Sequence, residues 1–381
     1  MNGARIMNEL VSVVIPVYNG ERYIGPTLQS VAEQSHERLE ILVVDDGSTD
    51  GTACVLDLFA RQDPRFRILK QANKGVAAAR NLGIRSAHGD FIAPLDADDI
   101  WHRERISKHL RGLLEAPSDV GLVYSPWITI DESGARLSPC MDRDRFEGIV
   151  WLQLMLGNFL GSASTCLIKA ACLREVGLYD EQYFSQRAQG CEDWDLYLRI
   201  ARRFRFLFQP DCLIAYRQVR GSMSVDVEQM MRSYERMMAK AGQPGVAFPK
   251  RIQRWSCAAY LLYLADRAAL ARRVGLTASL LLRVISLDPV RMLDPRVGRT
   301  LARSLLAELR SRGPTEDPAP ATSSEPWDDA AQLSTRPIPA EAVVWNSIRR
   351  SRERAIARMQ QAQAWPVPCD PHRFESVAAQ P

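Results

Sequence analysis

The chain has 381 residues, enough for one large domain with an appendage or for two domains. Hydrophobic residues make up 46% of it and charged residues 25%, ordinary values for a globular protein. A net charge of +4, with no basic run carrying interleaved aromatics ahead of the last helix, argues against nucleic acid as a partner; eight scattered cysteines with no Cys-x-x-Cys argue against a structural zinc site and fit reduced thiols in a cytoplasmic protein.

Arg5 and Glu9 interrupt the N-terminus, so it is expected to lead into a first strand rather than to act as a secretory signal. Short apolar runs at Val11–Val17, Ile41–Val44, Phe66–Leu69 and Phe91–Pro94 alternate with helix-length stretches at Glu21–Gln34, Thr52–Arg61 and Lys74–Ala87. That rhythm predicts βαβ units and a mostly parallel sheet covered by helices on both faces. Asp46, Ser48 and Asp50 are candidate caps for the helix near Thr52. Asp119–Ile130 is a further strand-like run. Gly148–Ile168 has no charged residue and the length of a membrane span, but Gln153, Asn158, Ser162, Ser164, Thr165 and two glycines predict a buried helix, a turn and a buried strand instead. The spacing of Trp194, Leu196, Tyr197 and Ile200 predicts a helix, and Phe206–Phe208 and Leu213–Tyr216 predict closing strands. Beyond Ser224 the chain turns Ala- and Leu-rich and helical, notably at Tyr260–Arg273 and Leu276–Ile285. Pro, Ala, Ser and acid from Gly313 to about residue 340 predict a flexible linker, and Glu341–Gln361 predicts a last amphipathic helix. The expected divisions are 1–225, 226–312, 313–340 and 341–381.

Three acidic clusters end apolar runs: Asp45-Asp46, Asp96-Ala97-Asp98-Asp99 and Glu192-Asp193. Carboxylates at the carboxyl-end rim of a parallel sheet stand where α/β proteins bind ligands. Mg²⁺ and Mn²⁺ favour such oxygens and are usually held by one or two carboxylates plus substrate phosphates. Structural readings stand beside these. Asp45 and Asp46 suit a turn and cap, Asp99 suits a cap for the helix carrying Ile106, Leu110 and Leu113, and Glu192 and Asp193 suit the positive end of a helix. Tyr18 could be plain packing and Arg217 a structural ion-pair partner.

Val11-Ser12-Val13-Val14-Ile15-Pro16-Val17-Tyr18-Asn19-Gly20, Asp45-Asp46-Gly47-Ser48-Thr49-Asp50-Gly51-Thr52, Asn73-Lys74-Gly75-Val76-Ala77-Ala78-Ala79-Arg80-Asn81 and Asp96-Ala97-Asp98 occur in that order. Glu192-Asp193-Trp194 and Tyr216-Arg217 with Gly221-Ser222-Met223-Ser224 follow. Over residues 10–225 this series closely resembles the family 2 glycosyltransferases. The resemblance implies a GT-A, Rossmann-like sheet, here with a helical C-terminal extension. It implies that Pro16, Tyr18 and Asp46 hold the nucleotide base and ribose, with Asp46 accepting a hydrogen bond from the base. Arg80 would approach the diphosphate, Asp96 the ribose or sugar, Asp98 would bind Mn²⁺ or Mg²⁺, and Asp193 would be the general base. Asn19, Glu192, Trp194 and Arg217 complete the substrate-binding set that it implies. Relatives often carry a metal-binding His where this chain has Val219, so weaker metal binding is expected.

The residues support the same chemistry. A departing diphosphate needs its charge neutralised, and an acceptor hydroxyl needs its proton taken; Asp98 and Asp193 supply one group of each kind. One base with one displacement implies inversion at the anomeric carbon. The partners are then a nucleoside-diphosphate sugar and a glycan, lipid-linked or small-molecule acceptor. A cell-surface polysaccharide or glycolipid is the expected product. Peripheral contact with the inner membrane is expected of the basic helix after Glu341, through Trp345 and its arginines. The alternatives are an inactive or catalytically weak sugar-nucleotide binder and a nucleotidyltransferase. The absence of Gly-x-Gly-x-x-Gly and of a Gly-Lys-Ser/Thr loop disfavours dinucleotide oxidoreductases and NTPases.

Overall fold

The computed structural model describes residues 8–141, 145–219, 226–241, 250–311 and 348–359 except 357. Ten strands form two sheets among these residues: β1 Val11–Val17, β2 Leu39–Asp45, β3 Phe66–Lys70, β4 Phe91–Pro94, β5 Ile100–Trp101, β6 Val120–Tyr124, β7 Trp127–Ile130, β8 Cys166–Lys169, β9 Arg205–Phe208 and β10 Ile214–Arg217. The large sheet runs β3-β2-β1-β4-β8-β6-β9, and β5-β10-β7 form a small one. β1, β2, β3 and β4 are mutually parallel, whereas β8 is antiparallel to β4 and β6. The sheet is thus the mostly parallel one expected from the sequence, with an antiparallel insertion that the sequence did not signal.

β1, β2 and β4 form because each is a short, mainly apolar run buried on both faces, whereas the edge strand β3 buries Phe66 and exposes Arg67 and Lys70. Along β1, Val11, Val13, Ile15 and Val17 face one core layer and Val14 the other. The first layer is sealed by the helices Ile24–Ala32, Thr52–Gln62 and Arg105–Glu115, the second by Val76–Arg85, Trp151–Leu156 and Glu192–Ala201. Helix Val76–Arg85 lies so close to β1 that a Cβ on Gly83 would stand 2.5 Å from Val14 Cγ1.

The chain order reverses at β1: it proceeds through β2 and β3 on one side and returns to β4 on the other. The β1–β4 ladder ends at Val14 and Pro94. Pro16, in register with Val44 of β2, would next face the β4 side; lacking an N–H, it leaves no donor unmet there. The strands therefore part at their carboxyl ends, and a crevice at such a switch point is the expected ligand position.

The uncharged segment 148–168 folds as helix Trp151–Leu156, a 3₁₀ turn Ala163–Thr165 and β8, all largely buried. Among the described residues no helix is long and apolar enough to cross a membrane. The helical part beyond residue 225 comprises Val227–Ala241, Lys250–Leu270, Val274–Leu287 and Pro295–Ser311. Its buried residues belong to the same core layer as Trp194 and Leu196, so packing runs without a break across residue 225.

Candidate active site

The site assembles at the carboxyl ends of β1, β2 and β4 and at the first turn of helix Glu192–Ala201. Tyr18, just past β1, is about half exposed at 51%. Next to it Asn19 adopts a left-handed backbone (φ 49°), and its Oδ1 accepts the Thr49 N–H at 2.8 Å while its own N–H donates to Ser48 Oγ at 2.9 Å. Asn19 thus ties the β1 loop to the β2 turn. Pro16 is buried inside the sheet beneath them.

Asp46 is buried and accepts three hydrogen bonds, from Gln71 Nε2 (2.7 Å), the Lys74 N–H (2.9 Å) and the Gly75 N–H (2.9 Å). It therefore braces the entry to helix Val76–Arg85, whose first turn follows Gly75 at φ +86°. The expectation that Asp46 and Ser48 cap the helix at Thr52 is corrected: only Asp50 reaches the Thr52 N–H, at 3.0 Å. The reason is geometric, since Asp46 directly follows β2, which is flanked by β3, and its side chain meets the loop after β3 first.

Arg80 occupies the centre. It is buried, its Nη1 donates to Asp193 Oδ1 at 2.6 Å and its Nη2 to Asp96 Oδ1 at 2.5 Å, and its guanidinium lies 5.1 Å from the Tyr179 ring. Burial opposes its charge, but the two carboxylates outweigh burial and keep it protonated well above its usual range. Each terminal nitrogen of Arg80 spends one N–H on a carboxylate, so the side chain expected to approach a diphosphate is here held between Asp96 and Asp193. Three segments distant in sequence are joined through this one side chain.

Asp193 remains partly exposed, with 21% of its side chain accessible. Burial raises its pKa to about 6; Arg80 works against that rise and Asp96 adds to it. Asp98 is half-buried, and burial, with Asp96 adding to it, likewise raises its pKa to about 6. Asp96 and Asp98 crowd their negative charge at this rim, which fits hard-cation binding through oxygen. Among the described residues no set of three or more His, Cys, Asp or Glu is placed to hold a metal, so Asp98 would need oxygens from a bound diphosphate and water to complete a coordination shell. Val219 is half-buried and offers no ligand atom.

Other expectations are corrected by packing. Asp99 does not cap helix Arg105–Glu115; it is fully buried, accepting Ser164 Oγ–H at 2.5 Å and the Arg217 N–H at 3.0 Å, and burial beside Asp98 and Asp96 pushes its pKa well up. Arg217 is buried and donates to the carbonyls of Asp98 (2.9 Å), Asp131 (3.0 Å) and Glu132 (3.2 Å), clamping the backbone of the Asp98 turn. Trp194 points into the core: its Nε1–H donates to the Leu154 carbonyl at 2.7 Å, and its ring packs beside Tyr234 and Tyr260 at 5.9 and 5.8 Å. Glu192 is buried too, with Oε2 accepting the Gly190 N–H at 2.7 Å, Oε1 unpartnered, and its pKa raised by burial to about 7. Residues 221–224 of the expected closing loop lie outside the described residues.

Sequence reasoning missed the support beneath the rim. Ser164, from the uncharged segment, donates to Asp99 and accepts the Asp96 N–H at 3.0 Å. Arg105 is buried with its guanidinium 3.8 Å from the Trp101 ring and donates to the Ser164 and Cys166 carbonyls. The polar residues Ser162, Ser164 and Thr165 in an otherwise apolar stretch were the available signal.

A family model described as Glycosyl transferase family 2 matches residues 12–170. Glycosyltransferase GlyG of Streptococcus pneumoniae is 31% identical over 225 residues, which are 57% of this chain and 73% of GlyG. The putative teichuronic acid biosynthesis glycosyltransferase TuaG of Bacillus subtilis is 41% identical over 107 residues, 28% of this chain and 42% of TuaG. Three Rickettsia relatives at 30–33% identity are spanned over less than a third of their length. In fold the chain is similar to the mannosyltransferase PcManGT of Pyrobaculum calidifontis, solved with GDP-Man and Mn²⁺, at a TM-score of 0.52 and 21% identity over 80% of this chain and 88% of that one. The switch-point crevice thus lies in a GT-A sheet, and the chain belongs to the family 2 glycosyltransferases.

Proposed function

We propose that this glycosyltransferase moves a sugar, with inversion, from a nucleoside diphosphate to an acceptor hydroxyl, using Asp193 as base and a divalent cation at Asp98. The observation that carries the reading is the Arg80 clamp, which joins Asp96 and Asp193 from opposite parts of the chain and leaves Asp193 partly open to the crevice. With a pKa raised to about 6, Asp193 is ionised at neutral pH yet basic enough to take the acceptor's proton in the transition state. Arg80 keeps that carboxylate oriented and favours its ionised form. Tyr18 offers an exposed ring for the nucleotide base, while Asp46, carrying three donors already, shapes the loop around that base. Asp98 and the diphosphate would hold Mn²⁺ or Mg²⁺, and a cation bound there supplies Lewis-acid neutralisation of the leaving group. With Asp193 assigned as base and Asp98 to the cation, a single displacement is favoured. TuaG's described role supports a cell-surface polysaccharide as the product class.

The test is Asp193→Asn, assayed across a panel of nucleotide sugars. Turnover should fall by ~10²–10⁴-fold, the loss typical of a missing general base, with donor affinity nearly intact. A parallel fall in donor affinity would move Asp193 into the donor site and end its assignment as base.

A further inference from the structure

The basic helix after Glu341 was the sequence's candidate for contact with lipid; Trp345 lies outside the described residues, and the described part of the apolar face is already used. Ile356 is buried in the main core, Met359 packs against that core, and Arg352 donates to both oxygens of Asp288 at 2.7 and 2.8 Å. A different surface is left uncovered. Helix Pro295–Ser311 turns Thr300 and Ser304 inward, where Thr300 Oγ1 donates to Asp266 at 3.2 Å. Small polar residues on the core side oblige the leucines to face out. Leu301, Ala302, Leu305 and Leu306 are exposed on successive turns, Leu306 to 53%. A shallow groove lined by Met292, Leu293, Gly298, Arg299 and Ala302 continues this face into the preceding turn, where Met292 is exposed to 65%.

Charge decides what such a face would meet. Residues 250–311 hold twelve Lys and Arg against four Asp and Glu, a net +8, whereas the whole chain is +4. Three of the four acids are already engaged: Asp288 and Asp294 are buried against Arg291, with Arg352 and Arg296 joining them, and Asp266 pairs with Arg303. Arg272, Arg273, Arg283 and Arg299 are exposed. An apolar stripe with Arg299 at its groove, on a helical region of net positive charge, suits a surface that is apolar inside and anionic at its rim. We infer that helix Pro295–Ser311 and the turn before it form a docking face for an anionic lipid bilayer, with the leucines entering the acyl boundary and the arginines at headgroup level.

The full chain should sediment with vesicles of phosphatidylcholine and phosphatidylglycerol at low salt, and far less with phosphatidylcholine alone. The triple change Leu301→Ser, Leu305→Ser, Leu306→Ser removes exposed apolar groups only, so circular dichroism and the melting transition should be retained. Its vesicle binding should fall about tenfold or more. Equal sedimentation of the two proteins, or none by the native chain, overturns the inference. So does self-association of the native chain that the triple variant abolishes without any vesicle binding, which would assign the face to a second copy.

Discussion

At the scale of single residues, Arg80 is the side chain on which the site turns. Its two terminal nitrogens hold Asp96 and Asp193 at 2.5 and 2.6 Å, within a buried setting where an unpaired carboxylate is costly. Lysine in its place carries the charge on one point and cannot bridge both acids. With that charge no longer shared closely with Asp193, the pKa of Asp193 should climb above about 6. Because the base acts ionised, the acid limb of kcat/KM in Arg80→Lys should move to higher pH by about one pH unit. A pH–rate profile with an unmoved limb would mean that Arg80 does not set the protonation of the base. Asp98→Asn keeps size and removes the charge expected to hold the cation, so turnover should collapse and Mn²⁺ should no longer raise it. Full activity of the native chain in strong chelator would remove the metal from the mechanism.

Among the elements, helix Glu192–Ala201 joins the site to the core. Its first turn carries Glu192 and Asp193 side by side, and they face different surroundings. Asp193 meets the crevice, while Glu192 is buried with one oxygen unpartnered and a pKa raised by burial to about 7. A carboxyl whose folded pKa lies above its unfolded value binds more protons in the native state. Its stabilising contribution is therefore complete below about pH 4.5 and is lost as pH rises through about 7. Glu192→Gln keeps an oxygen for the Gly190 N–H and never ionises. It should stabilise the chain by about 2 kcal/mol at pH 8 and by nearly nothing at pH 4.5. Thermal unfolding at the two pH values checks this; an equal effect at both would mean that Glu192 is not charged in the folded chain at pH 8.

For the molecule as a whole, the core layer beneath Trp194 extends through Tyr234, Tyr260 and Val284 to Ile356. Tyr234 and Tyr260 stack at 4.5 Å, and the Tyr260 hydroxyl donates to the Met230 carbonyl at 3.1 Å. The helices after residue 225 thus brace the helix that presents Asp193. Ile356→Ala should cost about 2–3 kcal/mol through lost burial and a residual cavity, even though it lies far along the chain from every catalytic carboxylate. Denaturant unfolding with no change in midpoint would show that the segment near residue 356 does not share the core.

The sequence alone determined the strands β1 to β4, the intervening helices and the order of the acidic motifs, because apolar periodicity and turn chemistry are local properties of the chain. Val11–Val17 and Phe91–Pro94 were legible to the residue. What each motif residue touches was not legible. Tertiary packing turned Trp194 and Glu192 inward, made Arg217 a clamp on carbonyls, and set Arg80 between two acids. It also inserted antiparallel β8 between β4 and β6, bringing Ser164 under Asp96 and Asp99. These outcomes depend on contacts between residues up to 119 positions apart, beyond the reach of local sequence windows. Buried donors and acceptors must find partners wherever the folded chain brings them, so the roles of the charged residues were decided only when the core closed.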